Sequence, residues 1–214
     1  MSINNPSAPP IFDLPNSACI PLYPAGLSEI ARQSYDEGQR FERTGRLLDA
    51  TKSYIAAAGQ APSWFAPHYA MGNLAYRAGD HMNAFKSFSL AAQLEPRWSG
   101  SYFNLGQCFK YAGKLPEALE FLIKYVQMEP KDADGYVAVA SVFMRTGDMA
   151  RENEAYLRAM QVSDRCSIAH LNYAINMLQT GEKQTARRHF ARVLELEHSG
   201  TDLHDKAQKF IKAC

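Results

Sequence analysis

Six histidines and four cysteines carry the most reactive side chains of this 214-residue chain, and their spacing limits the chemistry open to them. The histidines are His68, His81, His170, His189, His198 and His204. None pairs with another as HxxxH or HExxH, so no single helix face offers two imidazoles to a metal. His198 and His204, in "HSGTDLH", are neighbours in sequence alone. Cys19, Cys108, Cys166 and Cys214 form no CxxC pair and fit free thiols in a reducing compartment better than a disulfide framework. Cys108 and Cys166 fall in or beside helical stretches and read as small core residues. The glycines form no phosphate-binding loop, and no serine stands in a strand–turn–helix elbow. The expectation is a chain with no catalytic residue, no metal and no cofactor.

Charge narrows the partners. The formal net charge is +1, so no global field draws nucleic acid or an anionic membrane to the chain. No apolar run reaches the length of about 18 residues that marks a membrane span. The start, "MSINNPSAPPIFDLPNSACIPLYPAG", has no basic segment followed by an apolar core and is not an ordinary secretory signal. A cytoplasmic protein is the default reading.

The elements that position these residues follow from a period. Gly45, Gly79, Gly113, Gly147 and Gly181 stand 34 residues apart. In the same register run small residues (Gly38, Gly72, Gly106, Ala140, Ala174) and a second column (Ala50, Ala84, Ala118, Glu152, Ala186). Large apolar residues recur at Tyr54, Phe88, Leu122, Tyr156 and Phe190, and prolines at Pro62, Pro96 and Pro130. Each unit reads as two helices: the glycine supplies the turn, small columns allow close approach, and the large column fills the space beside them. Glu152 interrupts the alanine column, where overpacking would cost about 1–3 kcal/mol unless the carboxylate escapes to solvent, and a locally wider helix crossing is predicted in that unit.

The cleanest copy, "YFNLGQCFKYAGKLPEALEFLIKYVQMEP", resembles the tetratricopeptide repeat, whose pattern is met by Tyr102, Leu105 with Gly106, Phe109, Gly113, Ala118, Leu122, Tyr125 and Pro130. The resemblance implies an all-α, right-handed α-solenoid of five helix–turn–helix repeats, at about 31–64, 65–98, 99–132, 133–166 and 167–198, within a repeat region at 28–198. A capping helix in 199–214 would follow, with Leu203, Ala207, Phe210 and Ile211 on one face and Thr201 or Asp202 as N-cap. Residues 1–27 read as an extended Pro/Asn/Ser-rich segment carrying Ile11, Phe12, Leu14, Ile20, Leu22 and Tyr23. Ser28 is placed to cap the first helix.

In this family the first helices of the repeats line a concave groove for a peptide or a partner helix. Carried over position by position, the groove would hold Tyr35, Gln39, Arg43, Tyr69, Asn73, Arg77, Phe103, Asn104, Gln107, Tyr111, Arg145 and Asn172. Amides bond a peptide backbone whatever its sequence, arginines favour carboxylate or phosphate, and aromatics anchor. Members that grip acidic chaperone tails use a clamp of lysines, asparagines and an arginine. Here Asn73 and Asn104 fill the amide places, but Tyr69, Asp134 and Ala138 stand where the cations belong. Only Asn104 and Asn172 match the asparagine ladder of O-linked N-acetylglucosamine transferases. Trp64 and Trp98 share a column at unit junctions and read chiefly as packing wedges. The expected function is a non-enzymatic adaptor binding an extended or helical segment of a partner protein. The alternative is a self-assembling scaffold or secretion-type chaperone, in which the N-terminal segment occupies its own or a neighbour's groove, giving a homo-oligomer.

Overall fold

The computed structural model describes residues 22–214, which are all-helical. Eleven helices follow in chain order among them. They are α1 (Glu29–Arg43), α2 (Leu47–Gln60), α3 (Phe65–Arg77), α4 (His81–Leu94), α5 (Ser99–Tyr111) and α6 (Leu115–Met128). The remainder are α7 (Ala133–Thr146), α8 (Met149–Val162), α9 (Ser167–Gln179), α10 (Lys183–Leu196) and α11 (Asp202–Ile211). The chain divides into two compact units, residues 1–113 and 114–214, so the first holds α1–α5 and the second α6–α11. Ile11, Phe12, Leu14 and Ile20 of the N-terminal segment lie outside the described residues.

Each hairpin turn is built on its periodic glycine. Gly45, Gly79, Gly113, Gly147 and Gly181 adopt φ of +75° to +86°, a backbone that any residue with a Cβ resists. At four of these turns the residue after the glycine donates its N–H five positions back, as Asp80 does to the Ala75 carbonyl at 2.9 Å and Asp148 to Phe143 at 3.1 Å. That bond satisfies carbonyls the helix end would leave unpaired. The helix that follows is capped where an aspartate precedes it: Asp80 accepts from the Asn83 N–H and Asp148 from Arg151. Thr201 accepts from His204 and so caps α11, whereas Ser28 occupies the cap position of α1 without a side-chain bond.

In the first unit the small column is a requirement of close packing. A Cβ on Gly72 would stand 2.6 Å from the Phe88 ring, and one on Gly38 2.6 Å from the Tyr54 ring. Around these contacts Ala50, Tyr54, Ala57, Trp64, Phe65 and Leu74 form one apolar core, joined at its outer end by Leu22, Tyr23 and Leu27. In the second unit Leu171, Ala174, Ala186, Phe190 and Val193 form a core that Ala207 of α11 completes. Leu203, Phe210 and Ile211 lie over it, and Phe210 stacks on Phe190 at 5.9 Å, so α11 covers an apolar surface that the last hairpin would otherwise expose.

The crossing predicted to widen at Glu152 does not. Glu152 is buried, with 5% of its surface exposed, and α7 and α8 pack as extensively as α3 and α4. The carboxylate lies one turn from the Tyr156 phenol on the same helix, and Asn172 of α9 meets that phenol from the neighbouring hairpin. Burial, then the Glu152 charge, holds that phenol protonated well above its usual range. A polar side chain at the next turn thus stands beside the buried carboxylate, and the crossing stays close.

Candidate peptide-binding face

The residues assigned to the groove fall on the first helix of each repeat, divided between the units. Tyr35, Gln39 and Arg43 lie on α1, Tyr69, Asn73 and Arg77 on α3, and Phe103, Asn104, Gln107 and Tyr111 on α5, all in the first unit. Arg145 on α7 and Asn172 on α9 belong to the second.

Within the first unit the aromatic members are largely packing residues. Tyr35 is buried, its ring 4.7 Å from Trp64 and 5.3 Å from Tyr54. Tyr69 rests against Phe88 and Trp98, and burial pushes its phenol up to about 12. Phe103 is buried as well. Trp64 and Trp98 are wedges: Trp98 packs on Phe65 and Tyr69, and Trp64 on Tyr35 and Tyr23. Tyr23 therefore takes, for the first repeat, the place that Phe65 takes for the second.

The polar members are braced to one another. Asn104 Nδ2 donates to the Tyr69 hydroxyl at 3.0 Å and to Asn73 Oδ1 at 3.2 Å, both of them on α3. This triangle ties α3 to α5, and Asn104 Oδ1 accepts no hydrogen bond among the described residues. Arg77 is held by Glu42 at 2.8 Å, and the other Glu42 oxygen accepts from the Tyr54 hydroxyl at 2.9 Å. Gln39 bonds the Tyr35 hydroxyl, and Arg43 donates to the Gln39 carbonyl at 3.3 Å while remaining exposed. Gln107 is half-buried. Tyr111 is 65% exposed, its ring centroid 3.5 Å from that of His81. In the second unit Arg145 is exposed in the last turn of α7, and Asn172 bonds the Tyr156 phenol.

Part of this face is already covered by the chain itself. Tyr23 donates its hydroxyl to Asp36, and its ring meets Tyr35 edge-on at 6.2 Å beneath the Arg32 guanidinium. Burial and the Asp36 carboxylate push the Tyr23 phenol up to about 12. Trp64 Nε1 donates to the Leu22 carbonyl at 2.7 Å. On the α3–α5 portion of the unit Asn104 and Gln107 are half-buried and Tyr111 is exposed, so their amides and ring could meet a peptide backbone and one apolar side chain.

Two features escaped the sequence reading. Tyr102, Tyr136 and His170 form a column whose side chains bond the carbonyl six residues earlier, at Pro96 (2.9 Å), Pro130 (3.4 Å) and Asp164 (3.0 Å). The signal was the 34-residue spacing of those positions. His170 also places Nδ1 2.9 Å from Nδ1 of His189 on α10, a pair 19 residues apart that no motif announces.

Residues 99–132 match the tetratricopeptide repeat family. No curated protein matches the chain in sequence. Among solved structures the fold is similar to MamA from Desulfovibrio magneticus RS-1, with 22% identity, a TM-score of 0.73, and cover of 82% of this chain and 99% of that one. PilF from Pseudomonas aeruginosa gives 15% identity and a TM-score of 0.74, covering 86% and 85%. YrrB, described as a TPR protein with an unusual peptide-binding site, gives 14% and 0.67, covering 85% and 92%. The chain therefore carries the tetratricopeptide repeat, and its fold is the α-solenoid of tetratricopeptide-repeat proteins. None of its described helices is long and apolar enough to cross a membrane.

Proposed function

We propose that this chain is a non-enzymatic adaptor that binds an extended segment of a partner protein, with the α3–α5 face of the first unit as its receptor. The observation that carries the reading is the Asn104–Tyr69–Asn73 triangle. It holds the Asn104 carbonyl oxygen rigidly beside Gln107, and Tyr111 stands exposed one turn further on. Fixed amides meet a peptide backbone with little loss of side-chain freedom, and an exposed aromatic supplies an anchor. The absence of cations at the clamp positions disfavours a free C-terminal carboxylate as the ligand. Arg77 does not compensate, because Glu42 neutralises it. The resemblance to YrrB, itself described by its peptide-binding site, agrees with this reading. A reducing, intracellular setting suits Cys108, Cys166 and Cys214, which are free thiols among the described residues.

Gln107 and Tyr111 are the residues to change, since neither braces the core. Peptides selected from a displayed library against the full chain should bind Gln107→Ala/Tyr111→Ala about tenfold or more weakly, at an unchanged melting temperature. Equal affinity for the double variant would remove this face as the receptor.

A further inference from the structure

The second unit carries an apolar groove on a surface that the proposed receptor does not use. Its floor is Ile123 and Val126 of α6, Tyr136, Val139 and Phe143 of α7, and Ala155 of α8. Arg151, Glu154 and Arg158 of α8 form the rim. The groove holds about 200 Å³, below the roughly 300–1,000 Å³ of small-molecule sites and too little for a docked helix, but enough for two apolar side chains of an extended segment. Arg151 lies over the Phe143 ring at 5.1 Å and is paired with Asp148 at 2.6 Å. Arg158 has only the Gln161 amide oxygen, at 3.3 Å, as a partner among the described residues, so an acidic side chain would find its charge available.

The chain contains a segment of that chemistry. Residues 9–15 read "PPIFDLP", and Asp13 is the one charged side chain in the first 28 residues. Prolines on both sides favour an extended backbone, which lowers the ordering cost of docking. In an extended chain Phe12 and Leu14 point to one side and Asp13 to the other, as an apolar floor with a basic rim requires. The step from Leu14 to Leu22, which is fastened to Trp64, spans at most about 28 Å and lets the segment leave its own first hairpin.

We propose that residues 11–14 of one copy dock in the α6–α7–α8 groove of a second copy, with Phe12 and Leu14 on the floor and Asp13 paired with Arg158. Segment and groove are different surfaces, so the contact is heterologous and association continues beyond two copies unless the arrangement closes. The proposal does not rest on the α3–α5 receptor, and either can fail alone.

Sedimentation velocity of the full chain over a range of concentrations tests it. The wild-type chain should self-associate. Asp13→Arg and Arg158→Glu should each weaken association about fivefold, the scale of one exposed ion pair, and the double variant should restore it. Phe12→Ser should weaken it about thirtyfold, the scale of a buried aromatic anchor. A monomer at every concentration overturns the proposal, as does association indifferent to Arg158→Glu. Association lost on Tyr111→Ala but kept in Arg158→Glu would place the segment on the other face and equally overturn it. Melting curves of each variant confirm that the swaps leave the fold intact.

Discussion

Trp64 and Leu22, 42 residues apart, are joined by a hydrogen bond from the indole Nε1 to the backbone carbonyl at 2.7 Å. The bond makes residues 22–27 the outer cap of the first repeat. An apolar repeat end needs a cover, and here Tyr23 packs on Trp64 and Tyr35 as Phe65 packs on Trp98 one repeat later.

Removing that ring should loosen the first repeat locally. In a Trp98→Phe background, where Trp64 is the sole tryptophan, Tyr23→Ala should shift the emission to longer wavelength and lower stability by about 1–2 kcal/mol. An unshifted spectrum with an unchanged melting temperature would show that the cap is not formed in solution.

The same residue predicts an alkaline sensitivity. The phenols of Tyr23 and Tyr69 are raised from 10.0 to about 12. The folded state then keeps its protons where the unfolded state loses them, so this contribution is complete below pH 10 and falls away as pH rises toward about 12. Tyrosinate absorbance should appear late, and Tyr23→Phe should flatten the decline of melting temperature over that interval.

Glu152 should be tolerable in one combination and not another. Tyr156→Phe removes the hydroxyl that faces the buried carboxylate one turn away and should cost about 1–3 kcal/mol. Glu152→Ala restores the alanine of its column and should recover most of that loss in the double variant. A double variant as unstable as Tyr156→Phe alone would mean the carboxylate is not what the phenol satisfies. Chemical denaturation of the four proteins measures the cycle.

The histidine pair predicts a loss at acid pH. Burial, then the neighbouring His170, lowers His189 below its ordinary value. The unfolded state therefore binds the proton more readily, and stability that is complete above the unfolded value near 6.5 falls as pH drops through it. Melting temperature from pH 7.5 to 5 should fall less steeply in His189→Gln. His68, also lowered by burial, contributes separately and leaves a residual slope.

Gly72 and Gly79 should fail for different reasons. Alanine at Gly72 meets Phe88 and should cost about 1–3 kcal/mol, partly recovered by Phe88→Leu. Alanine at Gly79 meets nothing within 4 Å, yet it must hold φ +79°, at a cost of about 1–2 kcal/mol that Phe88→Leu leaves untouched. Thermal unfolding of the singles and doubles separates steric from backbone strain.

The hairpins, their turns and the helix that ends the array were legible in the residues alone. A turn that needs φ near +75° selects glycine, close helix contact selects glycine or alanine, and both demands recur every 34 residues. Leu203, Ala207, Phe210 and Ile211 announced their shared face by helical spacing. What the period could not reveal is how residues that differ between repeats meet one another. Asn104 finds Asn73 at a separation of 31 residues, Arg77 finds Glu42 at 35, and Trp64 finds Leu22 at 42. The Glu42 pairing withdraws an arginine that its column alone would have offered to a ligand, whereas the Asn73 bond occupies only the Asn104 amide nitrogen and leaves its oxygen outward of that bond. Glu152 is the same lesson inverted: the column predicted strain, and Tyr156, one turn along the same helix, removed it. Periodic packing is a local, repeated constraint written into residue types. Which polar groups remain free depends on pairings between neighbouring helices, and only the folded arrangement of side chains decides them.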